Sequence, residues 1–172
     1  MRALLFLFCL CLLPNDLWAA RAKVALPDPT PLTEACVINA ANAANIPLTV
    51  MYGILATEGG KVGEAWSNTN GTWDLGPFQV NTCHLNDLAR LGINPETIMR
   101  DGCVNAYAAA WIVRQNLRLT KGNLWEAVGW YHSRTPHLKH GYIQRVKNNM
   151  ARIERKGLSE LPLVRTRYEA MR

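Results

Sequence analysis

Residues 70–81 read NGTWDLGPFQVN, and the fold turns on what this stretch does. Asn70-Gly71, set between AWSNT and TWDL, is the dipeptide favoured by type I′ hairpins, whose two central positions both need positive φ. The spacing predicts a strand, a tight turn and a second strand, with the carboxylate of Asp74 on the second strand and the compact run Gly76-Pro77-Phe78-Gln79 after it. The same Asn-Gly-Thr is formally a glycosylation acceptor, but the turn needs no modification to account for it.

Upstream, residues 47–60 read PLTVMYGILATEGG. Val50, Met51, Ile54 and Leu55 recur at three- and four-residue spacing, the apolar stripe of a helix that Pro47 opens and Gly59 and Gly60 stop. Glu58 lies four positions beyond Ile54 and three beyond Leu55, so it continues the buried stripe instead of facing water. It also falls in the last turn, at the negative end of the helix dipole. Both surroundings disfavour the charged form, so both raise its pKa. A carboxyl group protonated near neutrality is what a general acid requires.

A hairpin that begins shortly after this helix can fold back over its end, bringing Asp74, Gln79 and the Gly76 backbone toward Glu58. Breaking a glycosidic bond needs a proton donor for the leaving oxygen, stabilisation of a sugar cation, and a polar wall to hold the saccharide. Glu58 fits the first role, and Asp74 or an amide of the substrate fits the second. The amides of Gln79 and Asn81 offer both donors and acceptors to sugar hydroxyl and acetamido groups.

Outward from this centre the chain punctuates itself into helices. They are expected over 33–45, 84–91, a short segment opened by Asn94-Pro95, 103–121, and 124–131 behind an Asn123 cap. The last, over 141–156, carries Tyr142, Ile143, Val146, Met150 and Ile153 on one face. Its opposite face carries Arg145, Lys147, Arg152 and Arg155, a solvated side to which no function is assigned. The expected class is α+β and predominantly helical, with one small β-hairpin beside the active-site helix.

The first nineteen residues read as an export signal: Arg2, an apolar run from Ala3 to Leu13, and small residues suited to cleavage near 19–22. That run is about half the roughly twenty residues a spanning helix needs, so no stable membrane span is expected. Residues 20–32 form a Pro-rich leader, 33–157 a single domain and 158–172 a tail. Loss of Arg2 and Asp16 with the signal leaves the net charge at +6, a balance suited to an anionic partner. Exported placement, periplasmic or secreted, makes one disulfide among Cys36, Cys83 and Cys103 plausible, and three thiols leave one over.

Other chemistries fit less well. His132, His137 and His140 flank a loop proline without regular ligand spacing, no Cys/His cluster has zinc spacing, and neither metal nor cofactor is expected. Ser133 lacks a strained nucleophile turn and an orienting acid. Nucleic-acid binding has no recognisable module and conflicts with export. A non-catalytic wall-binding or assembly protein would use the same groove.

The ordered motifs resemble the lysozyme-like superfamily, and most of all the small soluble-lytic-transglycosylase (SLT) proteins that accompany bacterial conjugation and secretion machines. That pattern has a helix-ending Glu, a Gly-x-x-Gln-hydrophobic-Asn segment, a Tyr-Asn pair and a later Tyr. Glu58, GPFQVN at 76–81, Tyr131 and Tyr142 stand in those places, and DGCVNAYAAAWIVRQNL resembles the family's C-x-N helix. The similarity spans roughly residues 34–150. It departs from the pattern at Gly59, where Ser is usual, at Pro77-Phe78, and at Tyr131-His132 in place of Tyr-Asn. The resemblance implies a peptidoglycan lytic transglycosylase with Glu58 as general acid and base. Asp74, Gly76, Gln79, Asn81, Tyr131, His132 and Tyr142 would contact the glycan. NGTWDLGPFQVN also resembles the hairpin of animal-type lysozymes, whose second carboxylate falls on Asp74 and keeps a hydrolytic muramidase as the alternative. The family's pairing implies a Cys36–Cys103 disulfide, with Cys83 free and buried beside the hairpin. A Cys83–Cys103 bridge is the rival.

Overall fold

The computed structural model describes residues 28–161 and 163. The export signal, most of the leader and the tail beyond residue 163 lie outside the described residues. Seven α-helices and one small sheet are described. Helix α1 (Glu34–Ala44) is capped by Thr33, whose hydroxyl accepts from the Cys36 N–H, and Asn45 ends it in the left-handed region. Helix α2 (Leu48–Glu58) follows Pro47 and is closed by left-handed Gly59, whose N–H returns to the Leu55 carbonyl.

Then come the strands β1 (Ala65–Ser67), β2 (Trp73–Leu75) and β3 (Val80–Asn81), antiparallel in that order. The sheet therefore has a third strand beyond the expected hairpin. The expected type I′ turn is also corrected. Gly71 is left-handed at φ 82°, but Asn70 is not among the residues of positive φ. The chain turns over Asn68–Gly71 instead, closed by the Gly71 N–H on the Asn68 carbonyl at 3.1 Å and the Asn68 N–H on the Thr72 carbonyl at 2.8 Å. Asn70 bends inward locally, its side chain accepting from the Thr72 N–H and hydroxyl.

A 3₁₀ turn (Thr82–His84) leads into α3 (Leu85–Ala89), and α4 (Pro95–Arg100) begins at an Asn94–Thr97 capping box. Helix α5 (Gly102–Leu119) starts with the Asp101 carboxylate accepting from the N–H groups of Cys103 and Val104. Helices α6 (Leu124–His132) and α7 (Pro136–Lys156) follow. The last helix starts earlier than its apolar period indicates. Pro136 sits in its first turn, where no N–H is needed, so it opens the helix and does not break it. His137 and His140 are consequently exposed residues of α7, not loop residues.

Helix α5 is the spine. It packs on α1 and α6, while α2 packs on α7. Val37, Met51, Ile54, Leu55, Phe78 and Ile112 are fully buried at the centre. The Cys36–Cys103 disulfide ties α1 to the start of α5, with Cα atoms 4.8 Å apart and 67 positions between them. Cys83 is free, as expected, but exposed and not buried, because it lies on the open side of the 3₁₀ turn. The core extends past both expected domain limits. Thr30 exchanges backbone bonds with Arg100 and Gly102 at 2.9 Å each, and Leu32 and Leu161 are buried. Among the described residues no helix is long and apolar enough to cross a membrane.

Candidate active site

Glu58 ends α2 half-buried, and α7 meets it from behind. The Tyr142 hydroxyl donates to Glu58 Oε1 at 2.6 Å. Burial pushes the Glu58 carboxyl up from 4.5 to about 7. The Tyr142 hydrogen bond opposes this, the Asp74 charge adds to it, and the Arg145 charge opposes it. Tyr142 is itself in the core at 1% exposure. Its ring stacks on His132 at 4.9 Å with 8° between planes, and the Arg145 guanidinium lies 5.6 Å from its centre. The apolar stripe of α7 that buries Val146 therefore also delivers a hydroxyl to the acid.

The Asp74 carboxylate is held differently. Strand alternation sends Leu75 into the core and turns Asp74 to the other face, in register with Asn81 on one side and Trp66 on the other. Asn81 Nδ2 donates to Oδ1 at 2.7 Å and Asn68 Nδ2 to Oδ2 at 2.9 Å, so each oxygen has an amide partner. Thr72 Oγ1 accepts from both asparagines and ties them to the same turn.

Between the carboxylates runs the loop 76–79. Gly76 is left-handed at φ 66°, and a Cβ there would meet Asn105 Nδ2 at 2.6 Å, so neither conformation nor space admits a side chain. Fully buried Asn105 accepts from the Phe78 N–H at 2.8 Å and donates to the carbonyls of Leu75 (2.8 Å) and Ile98 (3.0 Å). The Gly60 N–H donates to the Pro77 carbonyl at 3.2 Å, docking the loop on the end of α2. Gln79 adopts φ 50°, and its Nε2 donates to the Gly76 carbonyl at 2.8 Å. Tyr131 donates its hydroxyl to the Phe78 carbonyl at 2.8 Å.

These elements enclose a cleft of about 560 Å³. Glu58, Asp74, Gln79, Asn81, Tyr131 and His132 line it together, from three separate parts of the chain. Gly76 and Tyr142, expected to touch the ligand, are instead buried behind the lining, where Gly76 shapes the loop and Tyr142 bonds the acid. Sequence reasoning did not single out Asn68, His84, Asn116 or Arg134, which also line the cleft. Asn105 stood inside the C-x-N motif without an assigned role. Its function depends on contacts with residues 75, 78 and 98, which no local pattern discloses. Among the described residues no three His, Cys, Asp or Glu side chains cluster as a metal site.

A carboxyl raised to about 7 on the wall of an amide-lined cleft is equipped to donate a proton to the leaving oxygen of a polyhydroxylated ligand. Comparison with known proteins identifies relatives. The chain is 29% identical over 129 residues to the invasion protein IagB of Salmonella typhimurium (strain SL1344), covering 72% of this chain and 79% of that one. It is 31% identical over 101 residues to protein IpgF of Shigella flexneri, covering 58% and 66% respectively. X polypeptide of Escherichia coli is 41% identical over 58 residues, 34% of each chain. The transglycosylase SLT domain family matches residues 35–151, which contain every cleft residue named above, and the chain belongs to that family.

Proposed function

We propose that the protein is a peptidoglycan lytic transglycosylase that cleaves the β-1,4 bond between MurNAc and GlcNAc. Glu58 protonates the glycosidic oxygen as the bond to MurNAc C1 breaks, releasing the GlcNAc 4-hydroxyl and leaving an oxocarbenium-like ring. The Glu58 carboxylate then takes the proton from the MurNAc 6-hydroxyl as that oxygen bonds to C1. A 1,6-anhydro end forms and no water is consumed. The Asp74 charge on the opposite wall, or the acetamido group of the substrate, stabilises the cation. Gln79, Asn81 and His132 face the saccharide, and Tyr131 presents ring area to it.

The observation that carries this reading is Glu58 itself: a cleft-facing carboxyl raised to about 7 and fixed by the Tyr142 hydroxyl. Such a group is an acid in the first step and a base of matched strength in the second, which suits a reaction that returns its proton. Both oxygens of Asp74 are engaged by asparagine amides, which favours a supporting charge over a nucleophile. A muramidase using Glu58 and Asp74 is the second reading, favoured by the placement of Asp74 on the cleft wall.

Mass spectrometry of products from purified peptidoglycan decides between them. Anhydro ends, one water lighter than reducing ends, are expected, and exclusively reducing ends would overturn the proposal. Binding of the polymer without any cleavage would make this a wall-binding assembly protein.

Exported action follows from the substrate and suits the Cys36–Cys103 disulfide. We place the protein in the periplasm or outside the cell, opening the wall locally for a conjugation or secretion apparatus. Similarity to a protein named for invasion supports that setting. Deleting the gene should lower assembly of such an apparatus, with rescue by the wild-type chain and not by Glu58→Gln.

A further inference from the structure

Tyr142 is buried and takes no part in the cleft lining, yet its hydroxyl reaches a carboxyl that does line it. The imidazole of His132 stands between that phenol ring and the cleft. It lies parallel to the Tyr142 ring, 4.9 Å away with 8° between planes, and His132 is a lining residue. Close approach of α6 and α7 sets up the stack. A Cβ at Gly129 would meet the Lys139 side chain and, at 2.9 Å, Ile143 Cδ1, so a side chain there would force the two helices apart. His132 follows about one turn after Gly129, at the end of α6, and Tyr142 precedes Ile143 on α7. The Ser133 N–H closes the helix on the Gly129 carbonyl at 3.0 Å. Among the described residues the His132 side chain makes no hydrogen bond, so ring contact and not a polar tether sets where the imidazole lies.

A flat neutral ring in that place excludes water. Burial, with the Arg145 charge, lowers the His132 pKa against the pull of Asp74, so the imidazole is mainly neutral at pH 7. Burial is also the largest cause of the raised Glu58 carboxyl, and the Tyr142 hydrogen bond opposes it. A void over the Tyr142 ring would admit water to the hydroxyl and to the carboxyl beside it, which weakens the larger of the two causes. The other titratable and charged groups around Glu58 are Arg145 of α7, Asp74 of β2 and Tyr131 of α6, and a change at position 132 leaves all three in place. We propose that His132 is a positioning residue whose ring caps Tyr142 and keeps water from the Glu58–Tyr142 pair. This rests on reading Glu58 as the acid, and it gives the imidazole a task that its nitrogens do not perform.

Two variants separate the ring face from the nitrogens. His132→Phe keeps a flat face on Tyr142 and loses both nitrogens, whereas His132→Asn keeps a polar group and loses the face. Neither carries charge at position 132, so their comparison is free of the imidazole's own titration. The Glu58 carboxyl is titrated by ¹³C NMR in each without substrate, and cleavage of purified peptidoglycan is followed from pH 5 to 8. Glu58 should titrate near 7 in His132→Phe. In His132→Asn it should titrate about one pH unit lower, a partial return toward the ordinary carboxyl value. The neutral fraction at pH 7 then drops from about a half to about a tenth. His132→Asn should therefore cleave about fivefold more slowly than His132→Phe at pH 7 and at an equal rate at pH 5.

An unmoved or raised Glu58 titration in His132→Asn would overturn the proposal, as would a fall of the same size in His132→Phe. A deficit of His132→Asn that is equal at pH 5 and pH 7 would also overturn it, since that is the mark of a lost glycan contact. The NMR titration keeps the two readings apart. The expected pair of titrations in a protein that cleaves nothing would leave the cap in place and sink the catalytic reading alone.

Discussion

Two carboxylates face one cleft in opposite surroundings. Glu58 closes a helix whose other inward residues are mostly apolar, and among the described residues its side-chain hydrogen-bond partner is the Tyr142 hydroxyl. Asp74 sits on a short strand at the surface, with an asparagine amide on each oxygen. Desolvation raises the first to about 7, whereas the second is positioned by its two amide partners. The contrast teaches how the backing of each wall suits it to the role proposed for it: the helical lobe desolvates a carboxyl and the sheet lobe anchors one.

The sharpest way to break the comparison is Glu58→Gln. Turnover should fall by about 10²–10⁴-fold, the usual contribution of general acid–base catalysis. The substitution also carries a stability signature of definite sign. Because the folded pKa lies above the unfolded one, the contribution of Glu58 is fully present below about pH 4.5. It is lost as pH rises through about 7. The amplitude is about 3 kcal/mol. Denaturation measured from pH 4 to 8 should therefore show Glu58→Gln gaining stability relative to wild type as pH rises. A flat difference would mean that the carboxyl is not desolvated.

The next test strikes the support shared by both walls. Asn105→Ala removes partners from the Phe78 N–H and from the Leu75 and Ile98 carbonyls at once. A loss of about 3 kcal/mol is expected, roughly 1 kcal/mol per stranded group. Asn68→Ala, on the half-buried hairpin, should cost less than about 1 kcal/mol. Comparable losses in the two variants would erase the distinction between a rigid lobe and an open one.

This difference also governs what could be read in the sequence. Glu58 was legible because helix period, terminal glycine and burial all act within one segment of eleven residues. The caps at Asn94 and Asn123 were legible for the same local reason. The turn at Asn70-Gly71 was misassigned because the Asn68 amide and the Asn70–Thr72 bonds outweigh the dipeptide preference. The third strand carries only two residues, too few for any alternation to show. The helix period put Tyr142 on the buried face of α7, but its bond to Glu58 and the role of Asn105 depend on contacts 84 and 27 positions away in sequence, beyond the range of any periodic pattern.

Asp74→Asn gives an intermediate effect. The side chain keeps its size, but its amide nitrogen now faces one of two asparagine donors, so one hydrogen bond is lost along with the charge. Turnover should fall about tenfold to a hundredfold with anhydro products retained, and stability should change by about 1 kcal/mol. Abolition as complete as in Glu58→Gln, with the fold intact, would hand both walls equal chemical roles and favour the two-carboxylate hydrolase.

The smallest change isolates one hydroxyl. Tyr142→Phe keeps the buried ring and its stack on His132 and removes only the donor to Glu58. That hydrogen bond favours the ionised carboxyl, so burial would act with less opposition once it is gone, although Arg145 still pulls the other way. The Glu58 pKa should rise further, and the alkaline limb of the activity profile should move upward by about one pH unit. The maximal rate should change little, since a weaker acid donates the first proton less readily while its stronger conjugate base accepts the returning 6-hydroxyl proton more readily. Stability at pH 5, where Glu58 is neutral with or without the hydroxyl, should change by less than about 1 kcal/mol. A limb that stays fixed would show that Tyr142 merely fills the core. A limb that moves downward would mean the hydroxyl favours the neutral acid, reversing the electrostatic role assigned to it.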